Sequence, residues 1–214
     1  MKQEENVKKK ILAVGNYKDA MYHGFTGVDE RLKEILPAYE LICTDQTEKL
    51  LTLAQDGIAG VISYLDIWNS ALTEEEACAL EQFAKKGGAV LLIHNGISIQ
   101  SRGNLEKMAG GKFLTHPTME EIRFEIKPHP ATKGCSGFTL REEPYQFELE
   151  EEGKEIILTY WYREKEYIAG WCKTVGSGRL VYLTPGHTPE IFDCPEYRQL
   201  IRQSMDWAAK ETQG

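Results

Sequence analysis

Residues 73–96, TEEEACALEQFAKKGGAVLLIHNG, carry a helix with both ends marked, followed at once by a strand with no polar face. Thr73 is an N-cap with Glu76 three residues on, Lys85 and Lys86 fall in the last turn, and Gly87-Gly88 is the stop. The apolar run that ends at His94 lacks the alternation of a half-solvated strand. A strand buried on both faces is what a parallel sheet covered by helices requires.

The segments before it fit the same architecture. ILAVGN is a short strand ending near Gly15, and GFTGVDERLKEILPA carries Val28, Leu32, Ile35 and Leu36 at helical spacing. YELICT and GIAGVISYL are two further strands. Between them DQTEKLLTLAQD places Thr47, Leu50, Leu51 and Ala54 on one helix face. Strand and helix in alternation predict an α/β, doubly wound, mostly parallel sheet of the flavodoxin-like kind. From Phe113 to Trp171 the strands EEIRFEIKP, KEIILTYWYR and EYIAGWCK follow without long helices, which predicts an antiparallel extension. PEYRQLIRQSMDWAAK, with Pro195 in its first turn and Leu200, Ile201, Met205, Trp207 and Ala208 inward, closes the fold as a helix. No repeat or linker interrupts this order, so one domain over 1–214 is expected, with residues 1–9 a polar leader.

Charge and composition narrow the function classes. With 33 acidic against 25 basic residues the chain carries a formal −8, which argues against a nucleic-acid partner. No apolar run reaches the length of a membrane span, and MKQEENVKKK has no signal-peptide core, so a cytoplasmic protein is expected. The five cysteines, 43, 78, 135, 172 and 194, form no C-x-x-C pair and read as reduced packing thiols. A homo-oligomer is the expectation that symmetry statistics give any such chain.

Catalytic motifs are informative by absence. Neither G-x-G-x-x-G nor G-x-x-x-x-G-K-[ST] follows a strand, so no nucleotide cofactor is expected. H-E-x-x-H is missing, and GISIQ after Asn95 lacks the second glycine of a serine elbow. What stands out is histidine. In doubly wound sheets ligands bind beyond the carboxyl ends of the strands, and by that rule the segments after Gly15, Leu65, Ile93 and Leu183 bring His23, His94 and His187 toward one crevice. His94, His116, His129 and His187 each end a strand or lie beside Gly or Pro, on the stiff support that metal coordination and acid–base chemistry both need. For His129, between two prolines, a turn-shaping role stays open beside a functional one. Glu143, held before Pro144, is a candidate ligand, base or orienting carboxylate. Tyr145, Trp161, Tyr162 and Trp171 offer flat apolar faces for a sugar ring, the alternative being ordinary core packing.

GFTGVDERLKEIL, GGAVLLIHNG, AGGKFLTHP, HPATKG, REEPYQF, WCKTVGSGRLVYLTPGH and SMDWAAK, in that order, resemble the ThuA-like, or trehalose-utilisation, family. The resemblance implies a class I glutamine amidotransferase-like fold without the amidotransferase cysteine, His94 standing in that region. It matches at His94, His116, His129-Pro130, Glu143, Tyr145 and Gly186-His187. It departs at Glu142, where members often carry aspartate, and is loose around His23. It implies an enzyme of carbohydrate catabolism acting on a disaccharide, glycoside or keto-sugar. The candidate catalytic groups are then Glu143, His187 and His94; the candidate ligands of a divalent metal, zinc first, are His94, His116 and His187; and Tyr145, Trp171 and His23 are candidate substrate contacts. Two alternatives remain: the same groups moving protons without a metal, and a non-catalytic sugar-binding module on the same fold.

Overall fold

The computed structural model describes residues 7–150 and 153–210, so the first six residues of the polar leader lie outside it. The alternation along the first half appears as β1 (Lys10–Gly15), α1 (Val28–Ile35), β2 (Glu40–Thr44), β3 (Ile58–Tyr64), α2 (Glu74–Lys85) and β4 (Ala89–Ile93). A 3₁₀ segment, His94–Ser101, then leads into α3 (Gly103–Ala109). Six strands follow with no α-helix between them: β5 (Gly111–Thr115), β6 (Glu120–Ile126), β7 (Phe138–Glu142), β8 (Gln146–Leu149), β9 (Lys154–Tyr162) and β10 (Lys165–Val175). β11 (Gly178–Leu183) and α4 (Pro195–Ala208) complete the order.

The main sheet runs β2-β1-β3-β4-β11-β10-β9-β6-β7. The first five strands are mutually parallel, and from β11 outward every pairing is antiparallel. A separate ribbon pairs β5 with β8. This is the doubly wound sheet with an antiparallel extension that the sequence predicts. Because strand side chains alternate between faces, Ile11, Ile62, Leu91 and Val181 pack with α1 and α4, while Leu12, Val61, Val90 and Leu180 pack with α2 and α3. All five residues of β4 are buried, as a strand covered on both sides must be.

Two local expectations meet different outcomes. The Thr73 signature forms a complete capping box: the Glu76 amide donates to Thr73 Oγ1 at 3.2 Å and the Thr73 amide donates to Glu76 Oε2 at 2.8 Å. Thr73→Ala should cost about 1 kcal/mol in urea unfolding; an unchanged midpoint would mean that Glu76, which also accepts from Thr47 at 2.8 Å, holds the turn alone. The DQTEKLLTLAQD segment, by contrast, is a 3₁₀ turn, Thr47–Thr52, rather than an amphipathic α-helix. With three residues per turn, Leu50 and Leu53 share the buried face and Leu51 is left 45 % exposed.

Among the described residues no helix is long and apolar enough to cross a membrane.

Candidate functional site: a buried histidine–glutamate cluster

The carboxyl ends of β1, β3, β4 and β11 open on the same edge, and the groups they carry meet there. His94 is the first residue after β4, in the left-handed region at φ 49°. Its ring is fully buried. Nδ1 lies 2.7 Å from the Thr184 carbonyl oxygen, which can only accept, so Nδ1 carries the proton and Nε2 offers its lone pair inward. The loop fits flush against β3, since a Cβ on Gly96 would stand 2.0 Å from the Ser63 carbonyl oxygen.

His187 follows β11 after Pro185 and Gly186. Gly186 has φ 152°, and a side chain there would press on His94 Cβ at 2.9 Å, so the two histidine-bearing turns interlock. Glu142, at the end of β7, holds this turn from the far side. Its buried carboxylate accepts from the amides of Gly186 at 2.7 Å, His187 at 3.1 Å and Glu143 at 2.8 Å. Glu143 itself is aimed inward by a tight turn over Pro144, closed by the Tyr145 amide on the Glu143 carbonyl at 2.9 Å.

His23 comes from the long irregular loop after β1. Asp66, just beyond β3, accepts its amide at 2.7 Å and that of Tyr22 at 2.6 Å, and the Asp66 amide donates to Asn16 Oδ1 at 2.8 Å. His23 Nε2 then lies 3.2 Å from His94 Nε2 and 3.1 Å from His187 Nδ1. Glu143 Oε2 completes the group at 3.1 Å from His187, 3.6 Å from His94 and 3.8 Å from His23.

One atom from each of His23, His94, His187 and Glu143 thus lies within 4.8 Å of the rest. Zinc–ligand bonds of about 2.0–2.1 Å set tetrahedral edges near 3.3–3.4 Å, so these separations are of the size a transition-metal centre needs. Hydrogen bonding alone leaves the cluster frustrated. Glu143 Oε2 is buried without an aligned hydrogen bond, and Nε2 of His94 has two neighbours competing for its single lone pair, Nε2 of His23 at 3.2 Å and the Tyr145 hydroxyl at 3.1 Å. Burial opposes ionisation of Glu143, but contacts with His187 and His94 outweigh it and hold the carboxyl well below its usual range. Burial, then the charges of His94 and His187, push His23 down to about 3. Contact with Glu143 raises His187, against the effect of burial. A neutral His23 beside an ionised carboxylate is a donor set prepared for a divalent cation, and the residues present fit one.

The sequence expectations are rearranged here. His94, His187 and Glu143 are brought together as expected, but the third imidazole is His23, which the sequence assigns to substrate contact. His116, expected as a ligand, stays outside the four-residue group: it is exposed at the rim, its Nδ1 donating to the Pro117 carbonyl at 2.8 Å and lying 3.7 Å from Glu143 Oε1. The β5–β8 ribbon carries it, rather than the main sheet. Tyr145 is 98 % enclosed, stacked on His94 at 4.6 Å with its hydroxyl donating to His94 Nε2 at 3.1 Å, so only its hydroxyl points into the site. Trp171, expected to line a sugar pocket, is corrected to the core: it is fully buried, its indole N–H donates to the Ala109 carbonyl at 2.7 Å, and its ring packs on Tyr182 and Phe147. His129 is not in the cluster; its Nδ1 caps the Ala131 amide at 3.0 Å and its ring meets Trp207. Asp66 and Glu142 are the groups that sequence reasoning passed over, although Asp66 stands where the strand-end rule places a site residue.

A family model described as trehalose utilisation, ThuA, matches residues 17–208. The chain belongs to the ThuA family. That membership gives it a carbohydrate-related role. Similar solved structures include a protein described as ThuA-like from Parabacteroides merdae, at TM-score 0.79 and 15 % identity over 97 % of this chain and 92 % of that one. Another described as ThuA-like, from Bacteroides uniformis, superposes at TM-score 0.75 and 17 % identity over 97 % and 94 %. A β-galactosidase from Rahnella sp. R3 matches at TM-score 0.65 and 14 % identity, this ThuA chain spanning 32 % of it. At such identities the likeness is one of fold. No curated protein matches the ThuA chain in sequence.

Proposed function

We propose that this ThuA-family chain is an enzyme of carbohydrate catabolism, acting on a disaccharide, glycoside or keto-sugar at a divalent-metal site made of His23, His94, His187 and Glu143. The observation that carries the reading is the convergence of four donor atoms from four chain segments on a buried point where Glu143 Oε2 lacks an aligned hydrogen bond. A divalent ion held there supplies polarisation of a sugar oxygen or a water of lowered pKa. The chain's own groups do the rest. Tyr145 directs its hydroxyl at the cluster, and exposed His116, whose Nδ1 is taken by the Pro117 carbonyl, has Nε2 as the nitrogen left to exchange a proton with a sugar hydroxyl. Tyr22, 66 % exposed beside His23, and Trp68 beside Phe113 give the mouth apolar faces suited to a pyranose ring. A non-catalytic sugar-binding module needs such faces but gains nothing from burying three imidazoles around a carboxylate.

Protein purified without added metal or chelator is expected to hold close to one equivalent of a divalent transition metal by elemental analysis. His187→Ala should lose it while unfolding within about 1 kcal/mol of wild type, because a strand-end imidazole buries little apolar surface. His187→Gln keeps polarity without good ligation, so it should fail to hold metal as well. If wild type carries no metal and zinc, manganese and nickel leave its melting temperature unchanged, the metal reading is wrong and metal-free proton transfer replaces it. If metal-loaded protein binds disaccharides by NMR but converts none, the binding-module reading replaces the enzyme.

A further inference from the structure

Two buried polar atoms next to the cluster have no hydrogen-bond partner: Nδ1 of His23 and Oδ1 of Asp66. They belong to residues already in contact. Asp66 uses Oδ2 for the amides of Tyr22 and His23, and that oxygen lies 3.9 Å from His23 Nδ1. A carboxylate has about four lone-pair sites, and the two amides use two of them. Both side chains are at least nine-tenths buried, so water does not readily take the rest. The opposite nitrogen of the same ring, Nε2, faces His94, His187 and Glu143.

We infer that Asp66 is a positioning residue: a small rotation of ring or carboxylate closes the 3.9 Å separation, which is too long for a hydrogen bond as it stands, and Nδ1–H then donates to the carboxylate, which holds the His23 ring in its Nδ1–H tautomer and keeps the Nε2 lone pair directed at the cluster. The inference deepens the metal reading and rests on it for its functional meaning. His94 is set in the same way by a different group, its Nδ1–H donating to the Thr184 carbonyl at 2.7 Å. With that bond made, both imidazoles take an outer partner on Nδ1 and present Nε2 inward, which is how histidine ligands are oriented and made more basic. Asp66 is itself held firmly: its amide is on Asn16 Oδ1, and the adjoining Leu65 carbonyl and Ile67 amide are both bound by the Ser98 hydroxyl, at 2.7 Å and 3.1 Å. Ser98 lies in the 3₁₀ segment that begins at His94, so the carboxylate and both rings share one support.

Long-range ¹H–¹⁵N NMR of histidine-labelled protein at neutral pH, recorded after chelator treatment so that no ion on Nε2 sets the tautomer, with His23 assigned through H23Q, reads the proton position directly. Wild type is expected to show His23 protonated on Nδ1. A wild-type His23 protonated on Nε2 overturns the inference with no variant needed. Asp66→Asn, which keeps an acceptor oxygen for the amides but not for all three donors, is expected to populate the Nε2–H form. It should also weaken zinc binding by roughly 10–100-fold in chelator competition. Asn16→Ala removes another anchor of the same loop without facing the ring, and is expected to keep the tautomer and to bind zinc within about threefold of wild type. If Asn16→Ala shifts tautomer and affinity as much as Asp66→Asn does, Asp66 only holds the loop and the inference is overturned. If wild type binds no zinc yet its tautomer depends on Asp66, the positioning role stands and the metal reading is what fails.

Discussion

Glu142→Ala is expected to destabilise the protein by about 3 kcal/mol or more and, on the proposed metal reading, to abolish metal retention, although Glu142 contributes no donor atom to the four-residue group. The carboxylate is fully buried and takes three amides, those of Glu143, Gly186 and His187. Each buried donor left without a partner costs about 1–3 kcal/mol, so three of them reach that figure even at the low end. The same three bonds fix where Glu143 and His187 begin, and a shift of the turn by an ångström removes two of the four donor atoms from reach. Urea unfolding gives the first effect, and elemental analysis of the folded fraction the second. Glu142→Gln retains one acceptor oxygen and should fall between wild type and alanine on both. A wild-type unfolding midpoint in Glu142→Ala would show that water replaces the carboxylate without loss.

Trp171→Ala is expected to cost about 3–5 kcal/mol, the range for deleting a buried large aromatic. For a chain of this size that lowers the melting temperature on the order of 10 °C. Metal content per folded molecule should not change, because the ring packs against Tyr182 and Phe147 and not against the four donors. Trp171→Phe keeps most of the packing but leaves the Ala109 carbonyl without its donor, and should cost about 1 kcal/mol. Weakened sugar binding at unchanged stability would instead return Trp171 to the pocket.

The contrast between Trp171 and His94 marks how far the sequence could be read. β4 is an unbroken apolar run, so its path through the sheet and the exit of His94 at its carboxyl end follow from pattern alone. β10 is different. Its pairing with β9 shifts register between Ile168 and Gly170 and again before Trp171, and each shift moves a side chain to the other face. No reading of alternation in EYIAGWCK anticipates that. His23 was hard for another reason: its loop has no periodic element, and what places it is side-chain-to-backbone bonding with Asp66, 43 positions away. His116-Pro117 reads as a stiff mount, and it is one, but the ribbon that carries it pairs outside the main sheet. Glu142 looked like a departure from a family pattern; its three backbone contacts become visible only once β7 and the turn after β11 stand side by side.

The separation of the cluster's members along the chain also bears on the order in which the molecule comes together. His23 meets His94 across 71 positions and His187 across 164. Contacts that close loops this long form late in folding, after the sheet they hang from, because the entropy of closure must be met before the contact contributes anything. A species that binds all four donors therefore finds its site only in chains that are already native. Its effect falls on the unfolding limb of the kinetics: escape from the native state slows in proportion to occupancy, while the refolding rate stays that of the bare chain.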